Sequence, residues 1–216
     1  MTRLLLATRN AKKLDELRRI LAASGVDGLQ VLGLADVPEF PQAPETEPTF
    51  EGNALAKARA AATATGLPAV ADDSGLAVDA LGGMPGVLSA RWAGRHGDDV
   101  ANLRLVLDQL TDVPEVRRGA AFRCAAALVL PGGHDQVVLG EWRGTLVREA
   151  RGVNGFGYDP IFLPEGEQRT AAELDASEKD AVSHRGRALR ALLPALRAVC
   201  AVPGALPGAL PGPLPG

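Results

Sequence analysis

Cysteine is nearly absent from this chain: Cys124 and Cys200 are the only two. They are too few for a disulfide framework, and without metal-ligand spacing both are expected to be buried, inert thiols. Histidine is as sparse, and His96, His134 and His184 lie too far apart in sequence for a zinc site. Long apolar runs are missing as well. The longest, such as residues 124–130, fall far short of the roughly 20 residues that span a bilayer, so no membrane is expected as a partner. There is no excess of positive charge: 23 Lys+Arg against 26 Asp+Glu leave a net −3. That balance argues against bulk nucleic acid as a partner. Arg9, Lys12, Lys13 and Asp15 stand where a signal peptide needs its apolar core, so a cytoplasmic location is expected. Aromatics are limited to two Trp, one Tyr and five Phe, which makes the grouping of Phe156, Tyr158 and Phe162 within seven positions informative.

What remains is an ordinary globular composition, 46% apolar and 23% charged. A chain of 216 residues can bury a substantial core as one domain, or as two lobes of one. Residues 3–7 read as a buried strand, and Leu14, Leu17, Ile20 and Leu21 then recur at helical spacing up to Ser24-Gly25. A second strand is expected at 30–34 and a Pro- and acid-rich loop at 37–48. Thr49 can cap an alanine-rich helix that ends near Thr65, with Gly66 as its stop. Residues 68–71 read as a strand, 72–75 as a turn and 76–80 as a return strand. Asp98 or Asp99 caps a helix whose apolar face is Leu103, Val106, Leu107 and Leu110. Residues 120–130 and 136–147 form a hairpin, 161–163 a short strand, and 177–199 a helix in which Pro194 should introduce a kink. The uncharged Ala-Leu-Pro-Gly repeats of 200–216 predict a disordered tail, leaving 1–199 as the domain. The alternation of strands and helices with one long hairpin implies an α/β fold with a mixed sheet.

Four segments can carry chemistry. Thr8-Arg9-Asn10-Ala11-Lys12-Lys13 joins a strand to a helix N-terminus, where free N–H groups favour anions. Two lysines in a first helical turn oppose the helix dipole, a conflict that a bound polyphosphate would remove. The alternative is a solvated helix face. Asp72-Asp73-Ser74-Gly75 ends an apolar strand with two carboxylates able to meet a metal or accept a proton. Neighbours on a strand point to opposite faces, so one Asp is expected to reach a reaction centre while the other braces the turn. The alternative is a plain Asp/Ser/Gly turn. The 152–160 segment combines glycines that admit close approach with aromatic faces that can stack on a base, or else it is a turn whose rings fill core. In Lys179…Ser183-His184-Arg185, successive side chains on one unbroken helix diverge by about 100°. If all touch one ligand, the helix must break at Ser183, a good N-cap, and restart at His184 or Arg185. The alternative is a basic, solvated helix surface.

Together the strings LLLATRNAKK, TFEGNALAKA, LPAVADDSGLAVDALGGMPGVLSARWAG, GFGYDPIF and SEKDAVSHRG resemble the inosine/xanthosine triphosphate pyrophosphatase family over residues 3–199. That resemblance implies an elongated mixed sheet flanked by helices, two lobes and a central nucleotide cleft. It also implies magnesium-dependent hydrolysis of ITP, dITP or XTP to the monophosphate and pyrophosphate, and a homodimer. Carried over to this sequence, it assigns the triphosphate to the 8–13 loop, chiefly Thr8, Asn10 and Lys13, and a phosphate-facing role to Lys57 with Asn53 one turn earlier. Asp73 becomes general base and magnesium neighbour, and Ser74 a substrate contact. Phe156, Gly157, Tyr158 and Asp159 form the base pocket, and Lys179, His184 and Arg185 surround the purine. Arg185, a pure donor, suits the O6 acceptor of hypoxanthine or xanthine and opposes the N6 donor of adenine.

Two positions depart from the family pattern. Arg9 stands where many relatives have glycine. Gly52 stands where glutamate is frequent, which removes a carboxylate and half of a capping box after Thr49. The second magnesium ligand is then best matched by Glu45, with Glu47 and Glu51 as alternatives. Rival readings are a septum-inhibitor type pyrophosphatase acting on modified pyrimidine nucleotides, against which the FGYDP and SHRG strings argue, and a nucleotide sensor without hydrolysis.

Overall fold

Three consecutive buried leucines, Leu4, Leu5 and Leu6, build β1 (Thr2–Leu6) into the interior. The computed structural model describes residues 1–26 and 28–201. Helix α1 (Ala11–Ala23) buries Leu17, Ile20 and Leu21 on one face, as the 3.6-residue period requires. β2 (Leu29–Leu32) and a 3-10 turn at Leu34–Asp36 follow, so the strand expected at 30–34 ends earlier, at Leu32. Helix α2 (Phe50–Thr65) begins and ends where its caps dictate. Thr49 Oγ1 accepts the Gly52 N–H at 3.1 Å, and Gly66 closes the helix at a left-handed φ of 66°.

The remaining elements are β3 (Ala69–Val78), α3 (Asp99–Gln109), β4 (Gly119–Val129), β5 (Asp135–Leu146), β6 (Phe162–Pro164), α4 (Ala176–Val182) and α5 (His184–Ala201). The strand order is β2-β1-β3-β4-β5-β6, with β1 parallel to β2 and β3, and β5 antiparallel to β6. This is a mixed α/β sheet flanked by helices. No helix among the described residues is long and apolar enough to cross a membrane.

The chain divides into two units, the first comprising residues 1–73, 125–139 and 188 onward, the second 74–124 and 140–187. In the first, Ala54, Ala58, Ala61 and Ala62 form a stripe on α2 that packs on Leu5, Ala69, Ala71, Ala125, Ala127 and Val129. Alanine at these positions lets helix and sheet backbones approach closely. β1 has β2 on one side and β3 on the other, so the chain reverses direction across the sheet after β2. The second unit has its own core, in which Leu76, Val78, Val106 and Leu110 pack with Phe122, Trp142, Tyr158 and Phe162.

Four expectations need correction. There is no turn at 72–75: β3 runs straight through Asp72, Asp73, Ser74 and Gly75 to Val78. Asp and Ser make turns by bonding their own backbone, whereas these side chains are engaged by distant partners and leave the strand intact. The expected return strand at 76–80 is the second half of β3, followed by a 3-10 turn at Asp79–Leu81. Helix α5 continues through Pro194 to Ala201, two residues into the stretch expected to be tail, and residues 202–216 lie outside the described residues. Cys124 is buried as expected, but Cys200 is only half-buried because it sits in the last turn of α5.

Candidate active site

In the first unit, the parallel register sets Leu6 of β1 beside Val70 of β3, and the Ala7 N–H donates to the Val70 carbonyl at 2.7 Å. The loop that leaves β1 therefore passes alongside Asp72 and Asp73 in the middle of β3, at the carboxyl end of β1, and strand ends of this kind are where open α/β sheets place ligands. Asn10 caps α1, its Oδ1 accepting the Lys12 N–H at 3.0 Å, and the Asn10 N–H donates to Thr8 Oγ1 at 3.2 Å. Ala11 opens the helix. No acidic residue occupies its first turn, so the lysines do face the positive end of the dipole. Lys13 is compensated by Asp72, with Nζ 2.7 Å from Oδ2.

Asp73 points to the other face of β3, as strand alternation requires. Its Oδ1 lies 2.9 Å from Lys57 Nζ and its Oδ2 accepts from Asn53 Nδ2 at 3.1 Å. Asn53 and Lys57 stand one helical turn apart on α2, which is why both reach one carboxylate. Lys57 also meets Glu45 Oε1 at 2.5 Å. Burial pushes the Asp73 carboxyl above the usual range, and the Glu45 charge adds to this while Lys57 and Asn53 pull it down. Burial works against the Lys57 charge, yet Asp73 and Glu45 hold its pKa above the ordinary lysine value.

Of the three candidate acids, Glu45 shares Lys57 with Asp73. Glu47 is placed differently: it lies over the start of α2, where a Cβ at position 52 would stand 2.7 Å from the Glu47 Cβ. Glycine at 52 therefore makes room for Glu47. Glu51 lies in the first turn of α2. Arg9 is exposed and lines a separate cavity of about 370 Å³ with Leu34, Val37, Glu39, Phe40 and Gln42.

The second unit contains a pocket of its own, lined by Ser74, Phe156, Gly157, Tyr158, Asp159, Lys179, His184 and Arg185. They comprise all seven residues expected around a base, together with Ser74, which was expected as a substrate contact. The helix break predicted at Ser183 is present: Ser183 is extended, with φ −66° and ψ 159°, and its Oγ accepts the Gly186 N–H at 3.1 Å. The break lets α4 and α5 aim different side chains at one place. Arg185 donates to Ser74 Oγ at 2.9 Å and lies 5.7 Å from the Phe156 ring centre, while Lys179 lies 5.3 Å from the same ring. Lys179 is also paired with Asp159, which accepts the Phe156 N–H at 2.8 Å. Gly155 is obligatory here. Its φ is 74° and a Cβ would run into the Asp159 carboxylate. His184 stacks on Phe122, ring centres 4.8 Å apart and planes nearly parallel.

Sequence reasoning missed six lining residues: Gly75, Ser89, Ala90, Asp99, Asn102 and Phe122. Gly75 has a detectable reason, since a Cβ there would collide with the Gly86 carbonyl and Ser89 Oγ. Ser89 holds this approach, its Oγ accepting the Leu76 N–H at 2.9 Å and donating to the Gly86 carbonyl at 2.6 Å. Tyr158 donates its hydroxyl to the Ser89 carbonyl at 2.9 Å. Burial, and secondarily the Asp99 charge, raise the pKa of that phenol.

Comparison with known proteins places these features in context. The model of the Ham1 family matches residues 4–195. A dITP/XTP pyrophosphatase of Nocardia farcinica is 66% identical over 199 residues, which cover 92% of this chain and 97% of that protein. The enzyme of the same name from Mycobacterium tuberculosis is 65% identical over the same coverage. Among solved structures, a nucleoside-triphosphatase described as a dITP/XTP pyrophosphatase from Mycobacterium abscessus is similar at a TM-score of 0.74 and 61% identity, covering 89% of this chain and all of that one. A HAM1 protein from Coxiella burnetii is similar at a TM-score of 0.83 and 42% identity, covering 92% of this chain and all of that one.

Proposed function

This chain belongs to the Ham1 family, and on that premise we propose that it is a pyrophosphatase for non-standard purine nucleoside triphosphates. It converts dITP, ITP or XTP to the monophosphate and pyrophosphate. The observation that carries the reading is the arrangement around Asp73, a buried carboxylate held by Lys57 and Asn53 beside the strand-end loop of residues 8–13.

In this reading Asp73 accepts a proton from the water that attacks the α-phosphorus. Burial raises its pKa, which makes it a better base than an ordinary carboxylate, while the Lys57 charge favours its ionised form. Lys13 exchanges Asp72 for a phosphate oxygen, and the N–H groups at the start of α1 receive the remaining charge. In the second unit, Phe156 stacks on the purine, and Arg185 donates to O6 and so disfavours adenine.

The donor chemistry suits magnesium. Asp73 and Glu45 are hard oxygen donors that share one ammonium, and magnesium needs only one or two carboxylates beside phosphate oxygens and water. Asp73 and Glu45 would hold it, and when bound it would neutralise developing charge on the phosphates. Homodimer formation and a cytoplasmic location complete the proposal.

The test is an assay of pyrophosphate release across dITP, ITP, XTP, dGTP, ATP and a modified pyrimidine triphosphate, with and without magnesium. Monophosphate and pyrophosphate from the first three, lost with EDTA, support the proposal. Release of orthophosphate, or equal turnover of ATP, overturns it. Light scattering of the purified chain decides the homodimer.

A further inference from the structure

The loop that carries Phe156 has glycines of positive φ at 152, 155 and 157. Its shape is held both by bonds of its own, such as the Arg151 N–H to the Pro160 carbonyl at 2.9 Å, and by contacts from elsewhere in the second unit. Two anchors come from acids. Asp159 accepts the Phe156 N–H within the loop. The other acid is remote in sequence: Asp99 Oδ2, in the first turn of α3, accepts the Gly157 N–H at 2.9 Å. Asp99 also lines the pocket in which Phe156, Lys179 and Arg185 meet.

Asp99 has no capping duty to account for its position. The N-cap of α3 is its neighbour Asp98, whose Oδ1 accepts the Ala101 N–H at 3.1 Å. Two adjacent aspartates at one helix start thus do separate work, one closing the helix and the other reaching across to Gly157.

We propose that Asp99 is a positioning residue for the base. By holding the Gly157 N–H from α3 it sets the placement of Phe156 on one side of that peptide and Asp159 on the other. This rests on the pyrophosphatase reading above and adds to it a residue whose contribution is to substrate binding, since its hydrogen bond reaches the loop and neither Asp73 nor Lys57.

The experiment compares wild-type protein with Asp99→Ala, Asp99→Asn and Asp98→Ala, measuring KM and kcat for dITP and the melting temperature. Loss of one charge-assisted hydrogen bond predicts a KM raised roughly 5- to 10-fold in Asp99→Ala, with kcat changed less than about twofold. Asp99→Asn keeps an acceptor oxygen and is expected to restore most of the wild-type KM. Asp98→Ala removes the helix cap and is expected to lower the melting temperature with KM unchanged. An unchanged KM in Asp99→Ala, no rescue by Asp99→Asn, or an equal rise in KM in Asp98→Ala would each overturn the assignment. If wild-type protein releases no pyrophosphate from dITP, the proposed function itself fails, an outcome distinct from those three.

Discussion

Lys57 Nζ stands 2.9 Å from Asp73 Oδ1, and the pair links the middle of an alanine-rich helix to the centre of a long strand. Neither charge is stable alone in so buried a place. Each supplies what the other loses on leaving water, and Glu45 on the same ammonium sets the balance between them.

Removing the proposed base tests the chemistry. Asp73→Asn keeps the size and one of the two accepted hydrogen bonds but cannot accept a proton at neutral pH, so kcat is expected to fall by about 10²-fold or more. A variant with near wild-type kcat excludes Asp73 from that role.

Removing its counter-charge tests the electrostatics. In Lys57→Met, burial and Glu45 still raise the Asp73 pKa while the largest opposing influence is gone. Asp73 then stays protonated to a higher pH, and the acid limb of the kcat/KM profile is expected to shift upward. A limb that stays in place or moves to lower pH contradicts the coupling.

Base choice is tested at Arg185. Arg185→Ala deletes the donor that touches Ser74 and faces Phe156. The ratio of kcat/KM for ITP over ATP is expected to drop by about 10-fold or more, the scale set by one mismatched polar contact in a closed pocket. An unchanged ratio removes Arg185 from base selection.

The close contact of α2 with the sheet predicts intolerance of bulk. Ala58 is fully buried among Leu5, Ala69 and Ala71. Ala58→Leu is expected to cost about 1–3 kcal/mol by overpacking, measured by urea denaturation. Enlargement at exposed Thr63 serves as the control.

The start of α4 predicts a pH dependence. Asp175 accepts the Glu178 N–H at 2.8 Å, and this bond holds its pKa below the ordinary value. A depressed carboxylate pKa contributes stability that is present above the unfolded pKa and is lost as pH falls through the folded one. The melting temperature of Asp175→Ala should therefore lie below wild type near neutrality, and the gap should close in acid. A gap that persists unchanged at the acid end argues against the cap.

Local signals made much of this legible. Thr49 and Gly66 bracket α2 because caps act through hydrogen bonds and dihedral preferences within a few residues. Ser183 marked the helix break for the same reason, and with it the divergence of Lys179 from His184 and Arg185. The residues expected around a base do line one pocket. Asp72-Asp73-Ser74-Gly75 was misread as a turn because turn propensity is also a local quantity. What keeps β3 straight there is Lys13 at Asp72 and Lys57 at Asp73, partners contributed by two different helices. Asp99, Asn102 and Phe122 carried no motif, and Ser89 sat in the family-like 67–94 string with no role attached; they came to the pocket only through the packing of α3, β4 and the Gly86–Arg91 turn. Periodicity and capping determine where elements start and stop; which buried charge meets which is decided by strand register and helix packing, since desolvated groups must find partners wherever the chain brings them.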